Sequence, residues 1–204
     1  MGELVLLSGG LDSAVCFGMA VCAGRMPSAL FVDYGQPAVA EEMHAARSLC
    51  KRFETELAVV NIRGLPSVGL LDPNYRSNPS GVRHSAYTPA RNLALIAVAA
   101  SHAEATKNDT ISIGACAEDN YPDTSETFIA TANALLGIAT NKPLSLIAPL
   151  RSVEKRKVYK LAVKYGIDPK ETWSCYYPKT AGNPCGRCTP CLARRFVEST
   201  EAER

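Results

Sequence analysis

The sequence predicts an α/β fold: a parallel five-stranded sheet with helices on both faces in residues 1–170, followed by a small C-terminal segment in residues 171–204. Two observations lead to this prediction. Short apolar segments alternate with longer, helix-like segments, a pattern typical of strand–helix–strand units and a parallel sheet. The residues that could carry chemistry follow directly after the apolar segments, and such sheets bind ligands beyond the carboxyl ends of their strands.

The predicted strands are short runs of mostly apolar residues, as expected for strands that are buried in a parallel sheet. They cover residues 4–7, 28–33, 56–61, 110–114 and 145–148. The predicted helices are longer and cover residues 14–24, 39–53, 89–105, 125–138 and 153–165. A polar stretch at residues 63–85 predicts a long loop, and loops of that length are usually functional or disordered.

The junction of the first strand and the first helix reads Ser-Gly-Gly-Leu-Asp-Ser at residues 8–13. Glycine lets the backbone turn tightly and lets a ligand approach closely. The first amides of a helix are unpaired and favour an anion, and Ser8 and Ser13 add hydroxyl donors. The junction therefore predicts a phosphate-binding loop, although it lacks the lysine of a Walker A loop and does not fit a dinucleotide fingerprint. The alternative is a turn capped by Asp12 and Ser13 that binds no ligand.

Composition and charge exclude several classes of protein. The 22 lysine and arginine residues nearly balance 20 aspartate and glutamate residues, which gives no case for a nucleic-acid partner. No apolar run reaches the length of a membrane span. The first residues include an acidic group and lead straight into the loop, unlike a secretion signal. We therefore expect a cytoplasmic protein without membrane contact.

A cluster of cysteines near the end of the chain has the spacing of a metal site. Cys185, Cys188 and Cys191 form two overlapping C-x-x-C steps, and Cys175 precedes them. Four thiolates match a tetrahedral structural Zn²⁺ site, and a reducing compartment favours metal over disulfides. A redox C-x-x-C pair is the main alternative, but it does not account for four cysteines. Zinc would fix the C-terminal segment and could bring basic side chains near a ligand: Lys179, Arg187 or Arg194.

The remaining cysteines stand in apolar contexts and are predicted to be small buried side chains: Cys16, Cys22, Cys50 and Cys116.

Ordered blocks over nearly the whole chain resemble the 7-cyano-7-deazaguanine synthase (QueC) family of the PP-loop ATP pyrophosphatases. The blocks are Ser8–Ser13, Asp33-Tyr34-Gly35-Gln36 with Glu41 or Glu42 as its acidic partner, Pro89-Ala90-Arg91-Asn92, Tyr121-Pro122-Asp123, Pro149-Leu150 with Lys155, and the cysteine segment from Trp173 to Cys191. The resemblance implies an adenine nucleotide alpha-hydrolase-like (HUP), Rossmann-like fold.

The resemblance also implies an ATP-dependent ligase. In the family, ATP adenylates the carboxylate of 7-carboxy-7-deazaguanine, ammonia gives the amide, and a second activation gives the nitrile 7-cyano-7-deazaguanine. The implied cofactors are ATP, Mg²⁺ bound with the ATP, and structural Zn²⁺. The implied ATP-binding residues are those of the loop: Leu7, Ser8, Gly9, Gly10, Leu11, Asp12 and Ser13.

The family comparison extends to catalytic and substrate-binding residues. Catalysis is implied for Asp12, Arg91 and Lys155. Contacts with the deazaguanine are implied for Tyr34, Gln36, Arg91, Asn92, Asp119, Tyr121 and Asp123. Structural roles are the alternatives: Lys155 in a solvated helix turn, Arg91 and Asn92 at the start of a helix, and Tyr121 and Asp123 in a turn.

The chain departs from the family pattern at several positions. Pro37-Ala38 replaces a basic Arg-His pair, Thr124-Ser125 replaces Cys-Arg, and Ala90 replaces a glycine. These changes remove basic groups near the expected pocket, which opens a second hypothesis: a QueC-like antiphage-defence enzyme that joins the deazaguanine acid to a protein amine. A third is a non-catalytic nucleotide-binding module. A homodimer is compatible with all three.

Overall fold

A parallel sheet of five strands lies at the centre of the structure, a computed structural model that describes residues 2–72, 86–179 and 182–202. The spatial order is β3-β2-β1-β4-β5, and each neighbouring pair is parallel. The strands are β1 (Glu3–Leu6), β2 (Ser28–Asp33), β3 (Leu57–Asn61), β4 (Thr110–Ser112) and β5 (Ser145–Ile147). The predicted sheet is confirmed, with strand ends that differ from the prediction by up to two residues.

Helices cover both faces of the sheet, as predicted. They are α1 (Leu11–Cys22), α2 (Val39–Arg52), α3 (Arg91–Ala105), α4 (Glu126–Ala139), α5 (Lys155–Lys164) and α6 (Thr189–Ala202). The sequence-based prediction missed α6. On one face, Val5 and Phe31 pack with α1, α2, α5 and α6. On the other face, Leu4 and Leu30 pack with α3 and α4. Successive strand residues point to opposite faces, so both faces of the sheet are apolar.

The strand order places the candidate site. The chain moves outward from β1 through β2 to β3 and then crosses to β4 on the other side of β1. Loops after β1 and β4 therefore diverge and leave a crevice at the carboxyl edge of the sheet. The predicted loop at residues 63–85 contains a 3₁₀ turn at Gly69–Leu71, and residues 73–85 lie outside the described part of the chain.

Two glycines fix residues 8–13, which we call the phosphate loop after its predicted function, against the neighbouring elements. Gly9 has a φ of 77°, and a Cβ there would lie 2.2 Å from the backbone oxygen of Glu42 in α2. A Cβ on Gly114, just after β4, would lie 2.5 Å from the backbone nitrogen of Ser13. The loop and the first turn of α1 are therefore held between α2 and β4 by contacts that no larger side chain allows.

Three of the four scattered cysteines are buried as predicted, but Cys22 is exposed. Cys22 is the last residue of α1, and its apolar sequence context did not show that this helix end is exposed. Within the described residues, no helix is long and apolar enough to cross a membrane.

Candidate active site

Two adjoining cavities of about 230 and 550 Å³ surround the phosphate loop, and we call them the small cavity and the large cavity. Apolar residues at the ends of β1 and β2 and on α3 line the small cavity. Lys155, Trp173, Ser174 and the start of α6 line the large one. Both cavities are lined by Ser8, Asp12, Glu42, Asp119, Tyr121 and Tyr176. Together they form one cleft with polar groups at its centre.

The phosphate loop presents two serine hydroxyls and the start of α1 to this cleft. The hydroxyl oxygens of Ser8 and Ser13 lie 3.0 Å apart, and the Ser13 hydroxyl donates to the Gly10 carbonyl at 2.9 Å. Gly10 is the N-cap residue of α1 and has no side chain to cap the helix. The first amides of α1 are therefore left for an anion. The side chains of Leu7 and Leu11 are buried in the core, so only their backbone could contact a nucleotide.

Asp12 and Lys155 form an ion pair across the large cavity, linking α1 to α5. Burial raises the pKa of Asp12, although the Lys155 ammonium opposes that effect. The second carboxylate oxygen of Asp12, Oδ1, is buried without a hydrogen-bond partner. The backbone N–H of Lys155 donates to the Glu118 carboxylate at 2.9 and 3.0 Å, which caps α5. Lys155 therefore starts α5 with its ammonium directed at the loop rather than at solvent.

Arg91 is the first residue of α3 and lines the small cavity. Its guanidinium lies 5.8 Å from the Tyr34 ring centroid and 3.5 Å from the Tyr34 hydroxyl oxygen. Its Nε is buried without a hydrogen-bond partner. A cation is unfavourable at a helix N-terminus, so this position suits an arginine that binds an anion in the cleft. Ala90, which precedes it, has a left-handed backbone with a φ of 51°.

Asp123 lies outside the lining of both cavities and is buried. Its carboxylate accepts a 2.8 Å hydrogen bond from the Asn92 backbone N–H, and the Asn92 side chain donates to its carbonyl at 3.3 Å. Asp123 thus caps α3 and orients Asn92, which lines the small cavity, and its contact with the deazaguanine stays a prediction.

Thr124 and Ser125, which stand where the family has Cys-Arg, form hydrogen bonds that stabilise the turn before α4. The Thr124 hydroxyl donates to the carbonyls of Asp119 and Tyr121, at 2.6 and 2.9 Å. The Ser125 hydroxyl accepts from the Phe128 backbone N–H at 3.1 Å and caps α4. Both side chains therefore stabilise the segment that carries Asp119 and Tyr121 into the cleft.

A hydrogen-bonded chain runs through the residues after β2. The Gln36 amide oxygen accepts from the Tyr34 backbone N–H at 2.9 Å, and its nitrogen donates to the Glu42 carboxylate at 3.0 Å. Burial raises the pKa of Glu42 to about 7. Of the two acidic partners that the sequence left open, Glu42 faces the cleft. Glu41 lines a separate cavity of about 530 Å³.

Two later segments of the chain, residues 116–121 and 173–176, contribute to the wall of the cleft above the phosphate loop. The Asp119 carboxylate accepts from the Cys116 backbone N–H at 2.8 Å, and the Tyr121 ring stacks on Tyr87 with centroids 5.9 Å apart. Tyr176 lines both cavities and was not among the predicted site residues. Its position in the Trp-Ser-Cys-Tyr block, next to Cys175, was the signal that could have identified it.

The four C-terminal cysteines converge as a metal site requires. Their sulfur atoms all lie within 4.8 Å of one another. A tetrahedral zinc with bonds near 2.3 Å needs sulfur atoms about 3.8 Å apart, so the cluster fits that ion after small adjustments. The Cys185 backbone N–H donates to the Cys175 sulfur at 3.1 Å, as expected for a thiolate ligand. A fourth protein ligand leaves no open position, which indicates a structural rather than a catalytic metal.

A backbone hydrogen bond joins the cysteine segment to the phosphate loop, and a second contact holds the segment together. The Trp173 backbone N–H donates to the Gly9 carbonyl in the phosphate loop at 2.9 Å. Arg194 in α6 donates to the Thr172 carbonyl at 2.9 Å, so this arginine ties the segment together and is not directed at a ligand. Neither Lys179 nor Arg187 lines either cavity of the cleft.

Comparisons with known proteins place the chain among its relatives. The family model described as "Queuosine biosynthesis protein QueC" matches residues 2–198. A 7-cyano-7-deazaguanine synthase of Novosphingobium aromaticivorans is 35% identical, covering 94% of this chain and 87% of the relative. A synthase of the same name from Thiobacillus denitrificans is 36% identical, covering 94% of this chain and 91% of the relative.

Two solved structures share the fold at low sequence identity. The NMN synthetase of Francisella tularensis superposes with a TM-score of 0.56 at 17% identity, covering 97% of this chain and 77% of its own. A 4-thiouridine synthetase solved with RNA and ATP gives a TM-score of 0.50 at 19% identity, covering 97% of this chain and 50% of its own. These likenesses support the fold assignment.

Proposed function

Because the chain belongs to the QueC family, we propose that it is an ATP-dependent carbon–nitrogen ligase acting on 7-carboxy-7-deazaguanine. It adenylates the carboxylate, combines the product with ammonia to form the amide, and activates the amide again to form 7-cyano-7-deazaguanine. The observation that carries the proposal is the convergence of the phosphate loop, Arg91 and Lys155 on one cleft. The names of these two relatives support the choice of substrate.

The loop supplies the groups that a triphosphate needs. The free amides of α1 and the hydroxyls of Ser8 and Ser13 bind phosphate oxygens, and Lys155 adds a cation beside them. Arg91 adds a second cation in the small cavity. Donors fixed before the reaction stabilise the charge that develops on the α-phosphate as pyrophosphate leaves. Asp12 would hold Mg²⁺ on the pyrophosphate, because its carboxylate oxygen Oδ1 is buried without a hydrogen-bond partner.

Adenylation makes the carboxylate reactive. A carboxylate is a poor electrophile because its leaving group would be oxide, whereas the mixed anhydride releases AMP. The apolar wall of the small cavity, with Tyr34, Gln36 and Asn92 on its polar side, suits a planar nucleobase with hydrogen-bonding edges. Trp173 and Tyr176 supply aromatic surface in the large cavity. The two cavities thus offer room for ATP and for the acid side by side.

Zinc has a structural part in this proposal. Bound by Cys175, Cys185, Cys188 and Cys191, it would hold Trp173 against the loop and Tyr176 in the wall of the cleft. The ion would take no part in the chemistry, because all four positions of its coordination shell are filled by protein.

The test is mass spectrometry of the products formed from 7-carboxy-7-deazaguanine, ATP and ammonia, with and without candidate acceptor proteins. Release of AMP and pyrophosphate with formation of the nitrile supports the proposal. A product that stays attached to a protein amine would instead identify the conjugating enzyme. Binding of ATP with no release of AMP or pyrophosphate for any acid would indicate a non-catalytic module and contradict the proposal.

A further inference from the structure

Three carboxyl groups lie where the two cavities meet, and each has a protein partner. Asp12 is paired with Lys155, and Asp119 is held by the Cys116 backbone N–H. Glu42 is the third. It has no part in ATP binding as proposed above, yet it lines both of the cavities that we propose for ATP and the acid.

We propose that Glu42 is the general base of the amide-forming step and accepts the proton that ammonia loses as it attacks the adenylate. This inference rests on the proposed function and adds a catalytic residue to it. The nitrogen forms a bond to the acyl carbon, the carbon–oxygen bond to AMP breaks, and AMP leaves with the electron pair. The proton from the nitrogen moves to the carboxylate of Glu42.

The same group suits the second activation. Activation of the amide oxygen by ATP releases pyrophosphate, and the nitrogen loses the first of its two protons. The nitrile forms when the carbon–oxygen bond breaks, AMP leaves with the electron pair, and the nitrogen loses its second proton. These protons also need an acceptor at the carbon–nitrogen centre, and Glu42 serves again after it has released the proton of the first step to solvent. One base at the junction of the cavities serves both steps, because the reacting carbon stays in place while the two AMP groups are released.

The backbone and the side chain of Glu42 are both fixed. Its backbone oxygen packs so closely on Gly9 that a Cβ there would lie only 2.2 Å away. Its carboxylate accepts from the Gln36 amide nitrogen at 3.0 Å. The orientation of that amide is set by its oxygen, which accepts from the Tyr34 backbone N–H at 2.9 Å. A base held in this way meets the requirement that a proton acceptor be preorganised.

The surroundings of Glu42 suit proton exchange near neutral pH. Burial raises its pKa to about 7, while the Gln36 hydrogen bond and the Arg91 guanidinium of α3 act in the opposite direction. Glu41, the next residue of α2, raises the pKa further. Asp12, Asp119, Tyr121 and Tyr176 also face the junction. A general base is most effective when its pKa lies close to the working pH.

The test separates adenylation from amide formation in the Glu42→Gln variant, which keeps the size of the side chain and an acceptor for Gln36. ATP–pyrophosphate exchange in the presence of the acid reports adenylation alone. We expect exchange within about threefold of the parent and amide formation reduced roughly 100-fold or more. Hydroxylamine, a stronger nucleophile that depends less on a base, should still trap the adenylate as the hydroxamate. Glu41→Gln, on the other cavity, is the matched control and should match the parent in both assays.

The pH dependence gives a second readout. At a fixed concentration of free ammonia, amide formation by the parent should rise with pH through an apparent pKa near 7, since the base must be ionised, and Glu42→Gln should lose this rise. Equal loss of exchange and amide formation would overturn the inference and assign Glu42 a structural role. Unchanged amide formation would also overturn the inference. In either case the parent would still make the nitrile, whereas failure of the proposed function would show as no exchange in the parent.

Discussion

The backbone N–H of Trp173 donates a 2.9 Å hydrogen bond to the carbonyl oxygen of Gly9, and this contact joins the cysteine segment to the phosphate loop. Gly9 is also held on its other side by Glu42 in α2. The loop is therefore clamped between a helix of the main fold and a segment whose position depends on the cysteine cluster. A metal bound by the cluster would therefore affect the position of the loop through this contact.

Removal of zinc should weaken ATP binding although no cysteine lies in the phosphate loop. We expect Cys188→Ser to lose the bound zinc and to bind ATP at least about tenfold more weakly, because Trp173 is no longer held against Gly9. Zinc content by elemental analysis and ATP affinity by calorimetry measure the two effects. Cys22→Ser, at an exposed thiol outside the cluster, is the control and should change neither. Full ATP affinity in zinc-free Cys188→Ser would contradict the coupling.

Loss of the Lys155 ammonium should affect activity more than stability. Lys155→Ala leaves Asp12 without its counter-ion, which we expect to cost about 1–2 kcal/mol of unfolding free energy because both side chains retain some solvent contact. Acid-dependent pyrophosphate exchange should fall roughly 100-fold or more, since a cation beside the phosphates is lost. Lys157→Ala, on the exposed side of α5, is the matched control. Similar exchange rates in the two variants would contradict a role for Lys155 at the phosphates.

The left-handed backbone at Ala90 predicts a stabilising substitution. An alanine with a φ of 51° is strained by about 1–2 kcal/mol, and a glycine is not. Ala90→Gly also increases the entropy of the unfolded chain, which offsets part of the gain. We expect a net stabilisation of about 0.5–1 kcal/mol, measured by denaturant unfolding. A loss of stability would show that the contacts of the Ala90 methyl group outweigh its backbone strain.

A matched pair of glycine substitutions tests the packing of the loop. In Gly114→Ala, the new methyl group would meet the Ser13 backbone nitrogen and push the first turn of α1 out of position, so ATP affinity should fall at least about tenfold. Gly137 in α4 has nothing near its Cβ position, so Gly137→Ala should leave ATP binding unchanged and stabilise the helix by about 1 kcal/mol. Calorimetric titration with ATP and thermal unfolding provide both measurements. Normal ATP binding by Gly114→Ala would contradict the described contact.

The sheet and its helices could be predicted because their signals are local. The run Ser28–Asp33 is apolar and short enough to be recognised as a strand without knowledge of its neighbours. Helix α6 was missed because its segment was interpreted only through its cysteines, although Pro190 near its start is compatible with a helix. Cys22 was wrongly predicted to be buried because an apolar sequence context does not show that the end of a helix is exposed.

The phosphate loop could be predicted from adjacent residues, but the rest of the cleft depends on contacts between distant segments. Asp123 has the residue type of a ligand contact, and only the fold shows that it caps α3. Glu41 and Glu42 are adjacent acidic residues of one helix, and sequence alone could not decide which one faces the cleft. Tyr176 enters the site because the cysteine segment folds back on the loop, and its place beside Cys175 was the one sequence signal of that position.

ATP–pyrophosphate exchange with the zinc-loaded protein tests whether the loop supports adenylation of a deazaguanine acid. Labelled pyrophosphate should enter ATP when 7-carboxy-7-deazaguanine is present, without ammonia, and should not enter when the acid is omitted. The same dependence should vanish in Lys155→Ala. A folded protein that binds both ATP and zinc but shows no acid-dependent exchange would contradict adenylation of the deazaguanine acid.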